Sequence, residues 1–279
     1  LDVVPVGEGW KHPPFSAYEE DGVIYSRGIL DNKGPILSCL YALTALKRLG
    51  IKPEREVRII FGCDEESGFE DLKYYLDHEK APVAGFTPDC KYPVVYAERG
   101  RAVIKVKADL DHLITFVNKY ILNTQNKGER LGIDYKNDEF GQLEIRNYHL
   151  TKEYFSFSIS YPAGLTLEEI LNKLYLIEGY EYEVVSHFKP VYFDKKAPMV
   201  EIMKETYEYV TGNDGTPVTT TGGTYAKMMP HIVPFGPSFP GQKGIGHNPN
   251  EWMTRKDLIT NAKIYALTLY QLSRKETEL

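Results

Sequence analysis

The stretch that most constrains this fold is an apolar segment that ends in a cluster of acids. Residues 56–61 are rich in β-branched and apolar side chains, the pattern of a strand buried on both faces in a parallel sheet. Asp64, Glu65 and Glu66 follow directly, and residues 69–78 have the apolar spacing of a helix. The acids therefore fall at the carboxyl end of a strand, where open α/β sheets bind ligands. Taken alone, however, Asp-Glu-Glu is more typical of a solvated acidic loop.

The composition is that of an ordinary globular chain. Its 279 residues are 42% hydrophobic and 26% charged, which allows a sizeable core in one or two domains. The net charge of −6 disfavours nucleic acid and anionic membranes as partners, and no apolar run is long enough for a membrane span. The three cysteines lack a paired spacing, which indicates a reducing compartment, so we expect a cytoplasmic protein.

Strand, acid and helix alternate at both ends of the chain, whereas the middle has a different pattern. We predict that residues 1–100 and 190–279 form an α/β domain with a mostly parallel sheet flanked by helices. Residues 101–189 follow a β-α-β-β-α-β order, which predicts an inserted ferredoxin-like α+β lid. The opening residues resemble the end of an inner strand, so we expect the N-terminal part of the first domain to be missing from this sequence.

Several polar side chains follow short apolar strands or close a glycine-rich loop, namely Asp2, Asp31, the Glu65/Glu66 pair, Asp89 and His247. Because the carboxyl ends of parallel strands share one edge of a sheet, these groups can converge in one crevice. Carboxylates with imidazole and without a thiolate motif suit zinc, manganese or cobalt, and several carboxylates per histidine indicate two bridged ions. Taken singly, Asp31, Asp89 and His247 are explained just as well as turn or loop residues.

Five blocks of the sequence resemble those of the dinuclear-zinc aminoacylase/carboxypeptidase metallopeptidases, and above all the bacterial dipeptidases of that family. They occur in the same order and span nearly the whole chain: Leu1-Asp2-Val3-Val4-Pro5, Arg27-Gly28-Ile29-Leu30-Asp31-Asn32-Lys33-Gly34, Asp64-Glu65-Glu66-Ser67-Gly68, Thr87-Pro88-Asp89 and Gly246-His247-Asn248-Pro249-Asn250-Glu251. The resemblance implies a phosphorylase/hydrolase-like catalytic domain and two divalent ions, zinc first, with manganese or cobalt as alternatives.

The resemblance also implies a role for each matched residue. Asp31 would bridge the two ions, and Asp89 would serve one of them. Glu66 and His247 would complete the other site. Glu65 would be the general base, taking a proton from the metal-bridging water and returning it to the leaving amine.

Two further roles follow from the same resemblance. Asp2 would orient a histidine that the family places two residues before it, one position before this sequence begins. The turn formed by Gly222, Gly223 and Thr224 would present backbone N–H groups to a substrate carboxylate or oxyanion.

Two features depart from the family pattern. The connection between the first lid strand and the first lid helix is only residues 108–111, where the family has a longer histidine-containing loop. Ser160 also stands where the dipeptidases have an arginine.

We therefore expect a metal-dependent dipeptidase whose partner is a small peptide substrate, with a homodimer formed through the lid. An N-acyl-amino-acid deacylase of the same family would use the same metal chemistry. A relative that binds peptide without turnover is the alternative from another class. Glu65 beside Glu66 favours the enzyme, because a pure binder needs no base there.

Overall fold

The computed structural model describes residues 2–277 and 279, so Leu1 of the first family-like block lies outside the described residues. The chain separates into two compact units. The first unit consists of Leu1–Tyr96, Phe193–Val218 and Thr224–Leu279, and the second of Ala97–Tyr192 and Thr219–Gly223.

Helices and strands alternate through most of the chain. The α-helices are α1 (Lys33–Arg48), α2 (Glu70–His78), α3 (Leu110–Phe116), α4 (Leu167–Leu174), α5 (Pro198–Thr211) and α6 (Arg255–Ser273). A π-helical turn at Val117–Ile121 follows α3, and short 3-10 helices lie at Glu129–Leu131 and Tyr225–Lys227. No helix in the described part of the chain has both the length and the apolar character needed to cross a membrane.

The strands are short outside the second unit. They are β1 (Tyr18–Glu20), β2 (Val23–Tyr25), β3 (Gly85–Thr87), β4 (Cys90–Lys91), β5 (Val95–Glu98), β6 (Gly100–Lys107), β7 (Lys136–Asn137), β8 (Gly141–Gln142), β9 (Glu144–Leu150), β10 (Tyr154–Tyr161), β11 (Glu181–Phe188), β12 (Val191–Tyr192), β13 (Val218–Thr220), β14 (Ile232–Pro234), β15 (Pro237–Ser238) and β16 (Trp252–Thr254).

The first unit has the expected α/β content, but its sheets are small and mixed. Strands β1, β2 and β16 form an antiparallel three-stranded sheet. Strand β14 pairs in parallel with β3, and β15 pairs in parallel with β4. The single, mostly parallel sheet that the sequence predicts is therefore not confirmed.

The strand predicted directly before the acidic cluster is not formed. Residues 56–61 form no strand in the described structure, although their composition predicts one. Ile60 and Phe61 are exposed, and the segment lines a cavity of about 680 Å³ together with β3. A strand requires a neighbouring strand that shares its backbone hydrogen bonds. This segment faces the cavity and has no such partner among the described residues.

The helices of the first unit confirm the apolar patterns of the sequence. Helix α1 packs against α6, and α6 packs against α5, around a core of aromatic and aliphatic side chains. Thr254 caps α6 in a capping box with Asp257, which fixes the end of the loop that follows His247.

The second unit has the predicted order of elements. Its four-stranded sheet has the order β11-β6-β10-β9, and every neighbouring pair is antiparallel. Helices α3 and α4 pack on one face, against alternate side chains of β10 such as Phe157 and Ile159. Ser160, on the opposite face of β10, is also buried, and its hydroxyl has no hydrogen-bond partner among the described residues.

A buried ion pair ties two distant segments of the first unit together. Arg27 and Glu251 are each only 1% exposed, and Arg27 Nη1 donates to Glu251 Oε2 over 2.7 Å. The same carboxylate accepts backbone hydrogen bonds from Gly28 (3.0 Å), Leu30 (2.8 Å) and Asp31 (3.0 Å). Glu251 therefore holds the turn that leads into α1 from a position 220 residues further along the chain.

We expect Glu251→Gln to lower the free energy of unfolding by about 3–5 kcal/mol, because it leaves a buried guanidinium without its charge partner. The side-chain amide introduced by the substitution has only one oxygen, so its NH2 group would meet backbone N–H groups that now donate to the second carboxylate oxygen. Urea unfolding of the two proteins measures the loss. Glu19→Gln is the matched control, since it removes an exposed partner of Arg255 in the same unit and should cost far less. Equal losses for the two variants would contradict a structural role for the buried pair.

Candidate metal centre

Three of the predicted ligands meet in the first unit. His247 Nε2 lies 2.8 Å from Asp31 Oδ2 and 3.2 Å from Glu66 Oε1. Potential ligand atoms of the three residues all lie within 4.8 Å of one another. Asp31 stands in the turn before α1, Glu66 in the turn before α2, and His247 in the loop between β15 and β16. Three loops far apart in sequence thus supply one cluster of oxygen and nitrogen donors.

The other predicted acids lie beside this cluster. Asp2, Glu65 and Asp89 line a cavity of about 70 Å³, together with Asp31 and Glu66. Asp89 directly follows Pro88 at the end of β3, as the sequence predicts. The structure therefore places the predicted acids around one small space.

Burial and the crowding of the acids both raise the pKa of Asp89. Burial raises the pKa of this carboxyl well above its usual value, and the charges of Asp31 and Glu65 raise it further. A hydrogen bond with Asp31 adds to the effect. Such a set of carboxylates needs a shared proton or a bound cation to neutralise it.

The histidine shows the opposite effect. Hydrogen bonds to Asp31 and then to Glu66 raise the pKa of His247 to about 10, even though burial lowers it. The backbone of His247 has a φ of 64°, a left-handed conformation that is uncommon for residues other than glycine. Gly246 allows the close approach of this loop, because a Cβ there would lie 3.3 Å from Asp31 Oδ2.

The residues present fit a divalent metal centre. Carboxylate oxygens and an imidazole nitrogen form a donor set that suits zinc, manganese or cobalt. A cation bound here would replace the proton on His247, since a ligating imidazole is neutral, and would offset the repulsion around Asp89. The geometry supports metal binding but does not distinguish among these ions.

Asp2 makes a contact that the sequence analysis did not anticipate. Its Oδ2 accepts a hydrogen bond from the backbone N–H of Glu66 over 2.9 Å. Asp2 therefore helps to fix the turn that carries Glu65 and Glu66. The predicted role of Asp2 in orienting a preceding histidine is not tested by the described residues and stays a prediction.

The predicted substrate-binding turn is already partly engaged in local contacts. The backbone N–H of Gly222 donates to Thr220 Oγ1 over 3.3 Å, and the Thr224 hydroxyl accepts from the N–H of Ala226. Gly222 and Gly223 belong to the second unit and Thr224 to the first. Their binding of substrate stays a prediction.

Sequence reasoning missed the residues that hold the ligand loops in place. Glu251 lies in the same block as His247, but nothing local indicates that it binds the turn before Asp31. Asp71 and Tyr225 form a second anchor, with Tyr225 Oη donating to Asp71 Oδ2 over 2.6 Å. These contacts join residues 154 or more positions apart, so no local pattern could have revealed them.

Comparison with known proteins gives a consistent result. A sequence profile of Peptidase family M20/M25/M40 matches residues 1–271. The Beta-Ala-Xaa dipeptidase of Lactobacillus delbrueckii subsp. lactis is 26% identical, over 99% of this chain and 81% of its own length. That alignment spans 383 positions against 279 residues here, so the relative has residues that this chain lacks.

Solved structures share the fold at low sequence identity. Human carnosine dipeptidase 1 has a TM-score of 0.72 at 17% identity, over 98% of this chain and 78% of that one. The Bacillus subtilis YXEP protein, described as a dinuclear metal binding peptidase, has a TM-score of 0.58 at 15% identity, over 98% and 79% of the two chains.

The match runs through every segment that contributes to the cluster of acids and histidine, from Asp2 to His247. It is accompanied by a shared fold over almost the whole length. This chain therefore belongs to Peptidase family M20/M25/M40 and is a metallopeptidase.

Proposed function

We propose that this metallopeptidase hydrolyses the peptide bond of dipeptides. The observation that carries the proposal is the meeting of Asp31, Glu66 and His247 beside a small cavity lined by Glu65 and Asp89. The dipeptidase named above supports it, because its similarity extends over 99% of this chain. A small peptide is accordingly the proposed substrate.

Two divalent ions would be held by this cluster, with Asp31 as the ligand that they would share. Its carboxylate lies 2.8 Å from His247 Nε2 and close enough to Asp89 to raise the pKa of that carboxyl, so it is the acid that faces both halves of the cluster. Glu66 contacts His247 and would complete the first half, while Asp89 would serve the second. Zinc is the first choice of metal for this donor set, with manganese or cobalt as alternatives.

Glu65 is the proposed general base. Two bound divalent ions would supply Lewis-acid polarisation of the peptide carbonyl and lower the pKa of a water molecule. Glu65 lines the cavity next to Glu66, so one carboxylate of the pair can hold an ion while the other reaches the water. Glu65 then takes a proton from the attacking water and delivers it to the leaving amine.

Further assignments concern the second unit, the glycine turn, Asp2 and the location of the protein. We propose the second unit, near residues 101–189, as an inserted lid that also forms a homodimer, since β9 and β11 are the outer strands of its sheet. Gly222, Gly223 and Thr224 are proposed to contact substrate, and Asp2 is proposed to orient a metal-binding histidine that the family places two residues before it. A cytoplasmic location is consistent with Cys39, Cys63 and Cys90, all of which are free thiols.

A substrate panel tests the function itself. The zinc- or manganese-loaded protein should hydrolyse unblocked dipeptides, with a preference for them over N-acetyl-amino acids. Faster turnover of the N-acetyl-amino acids would instead identify a deacylase. Binding of dipeptides without turnover would identify a non-catalytic relative.

We expect Glu65→Gln to reduce kcat by about a hundredfold or more while metal content stays unchanged, because general-base catalysis typically contributes that much. Steady-state kinetics and elemental analysis measure the two effects. Glu70→Gln, an exposed acid at the start of α2, is the matched control and should retain activity. Parallel loss of metal and activity in Glu65→Gln would show that Glu65 is a ligand.

The ligand assignment predicts different metal contents for three alanine variants. His247→Ala and Asp89→Ala should each lose about one ion per chain, whereas Asp31→Ala should lose both because it contacts both halves of the cluster. Elemental analysis after dialysis measures the content. His78→Ala should keep the full content, because this exposed imidazole contacts the backbone carbonyl and the ring of Tyr74 on its own helix and lies outside the cluster. Two ions retained by Asp31→Ala would rule out its bridging role.

A further inference from the structure

Two side chains, Tyr225 and Asp71, hydrogen bond to each other and contact the backbone just before the turn that carries Glu65 and Glu66. We propose that Tyr225 is a positioning residue for these two acids and acts through Asp71. Its significance for catalysis rests on the function proposed above. The contact itself lies within the first unit and can be tested independently of that function.

One carboxylate oxygen of Asp71 accepts three hydrogen bonds. Asp71 Oδ2 accepts from Tyr225 Oη (2.6 Å), from the backbone N–H of Cys63 (2.7 Å) and from that of Asp64 (3.2 Å). Burial acts to raise the pKa of Asp71, but its hydrogen bonds together lower the pKa below its usual value, which favours the charged carboxylate. An ionised acceptor makes stronger hydrogen bonds than a neutral one.

Asp64 connects the backbone held by Asp71 with the turn that contains Glu65 and Glu66. Its backbone oxygen accepts from the N–H groups of Gly68 (3.1 Å) and Phe69 (2.9 Å), so it closes the turn that contains Glu65 and Glu66. Its side chain accepts from the N–H of Glu70 over 2.9 Å, at the start of α2. Displacement of Asp64 would therefore move both acids with it.

Tyr225 is placed closely against the same backbone. A Cβ added to Gly62 would lie only 2.0 Å from Tyr225 Oη, so the hydroxyl occupies the space beside that glycine. The Tyr225 ring lies 5.5 Å from that of Phe69, between ring centroids, and Tyr225 also lines the small cavity of acids. The ring packing can survive without the hydroxyl, which allows the two contributions to be separated.

Tyr225→Phe is therefore the decisive variant. It keeps the ring but removes the donor to Asp71, so the backbone amides of Cys63 and Asp64 should exchange with solvent about tenfold or more faster. Hydrogen exchange followed by NMR on the full chain measures this effect. In the metal-loaded protein, kcat should fall by about tenfold while KM changes less than twofold, since the reacting acids are displaced and the substrate contacts are not.

Tyr75→Phe is the matched control. It removes a hydroxyl from a tyrosine on the neighbouring helix α2, where the partner is Arg58 and not the acidic turn. This variant should leave both the exchange of Cys63 and Asp64 and the value of kcat unchanged. The same acceleration in Tyr75→Phe would show that any loss near α2 loosens the turn, and it would overturn the proposal.

Asp71→Asn provides a second and independent variant. It weakens the shared acceptor, so it should accelerate exchange of the same two amides. The double variant with Tyr225→Phe should be only slightly worse than Asp71→Asn alone, because the hydroxyl acts mainly through Asp71 and its direct contact with the N–H of Asp64 is long, at 3.4 Å. Additive effects, or unchanged exchange in Tyr225→Phe, would refute the mechanism. If the parent protein cleaves no dipeptide, the proposed function fails, yet the exchange data still decide whether Tyr225 holds the turn.

Discussion

The rest of the site depends on the repulsion among acids that the fold forces together. Asp31, Glu65, Glu66 and Asp89 surround one small cavity, and burial with the neighbouring charges raises the pKa of Asp89. Repulsion of this kind tends to push loops apart, because turns have little rigidity of their own. The structure must therefore hold the backbone beneath each acid before the acids can bind a cation together.

Two other carboxylates supply that restraint. Glu251 collects backbone N–H groups of the turn before Asp31, and Asp71 collects those before Glu65. Arg27 neutralises the charge of Glu251, whereas the charge of Asp71 is stabilised by hydrogen bonds from the Tyr225 hydroxyl and from backbone N–H groups. The protein thus uses acids in two ways, as candidate metal ligands that face the cavity and as acceptors that fix the main chain behind it.

The sequence predicts local structure well where the pattern is local. The helix predicted over residues 69–78 is present as α2, Glu70–His78. The strand expected at residues 56–61 is wrong, because strand formation depends on a neighbour that composition does not specify. The meeting of Asp31, Glu66 and His247 was expected both from their places after apolar segments and from the resemblance to a family, although the single parallel sheet behind the first argument is not confirmed. The anchors Glu251, Asp71 and Tyr225 were not predicted, since each acts over a long distance in sequence.

The link between Glu251 and the backbone of Asp31 also has a kinetic consequence. It joins positions 220 residues apart, so the turn of Asp31 and the loop of His247 cannot fray independently as a chain terminus does. Opening the turn of Asp31 away from this segment requires the loss of a fully buried charge pair. The backbone N–H groups of Gly28, Leu30 and Asp31 that Glu251 accepts should therefore exchange with solvent only in the slow, cooperative openings of the whole unit.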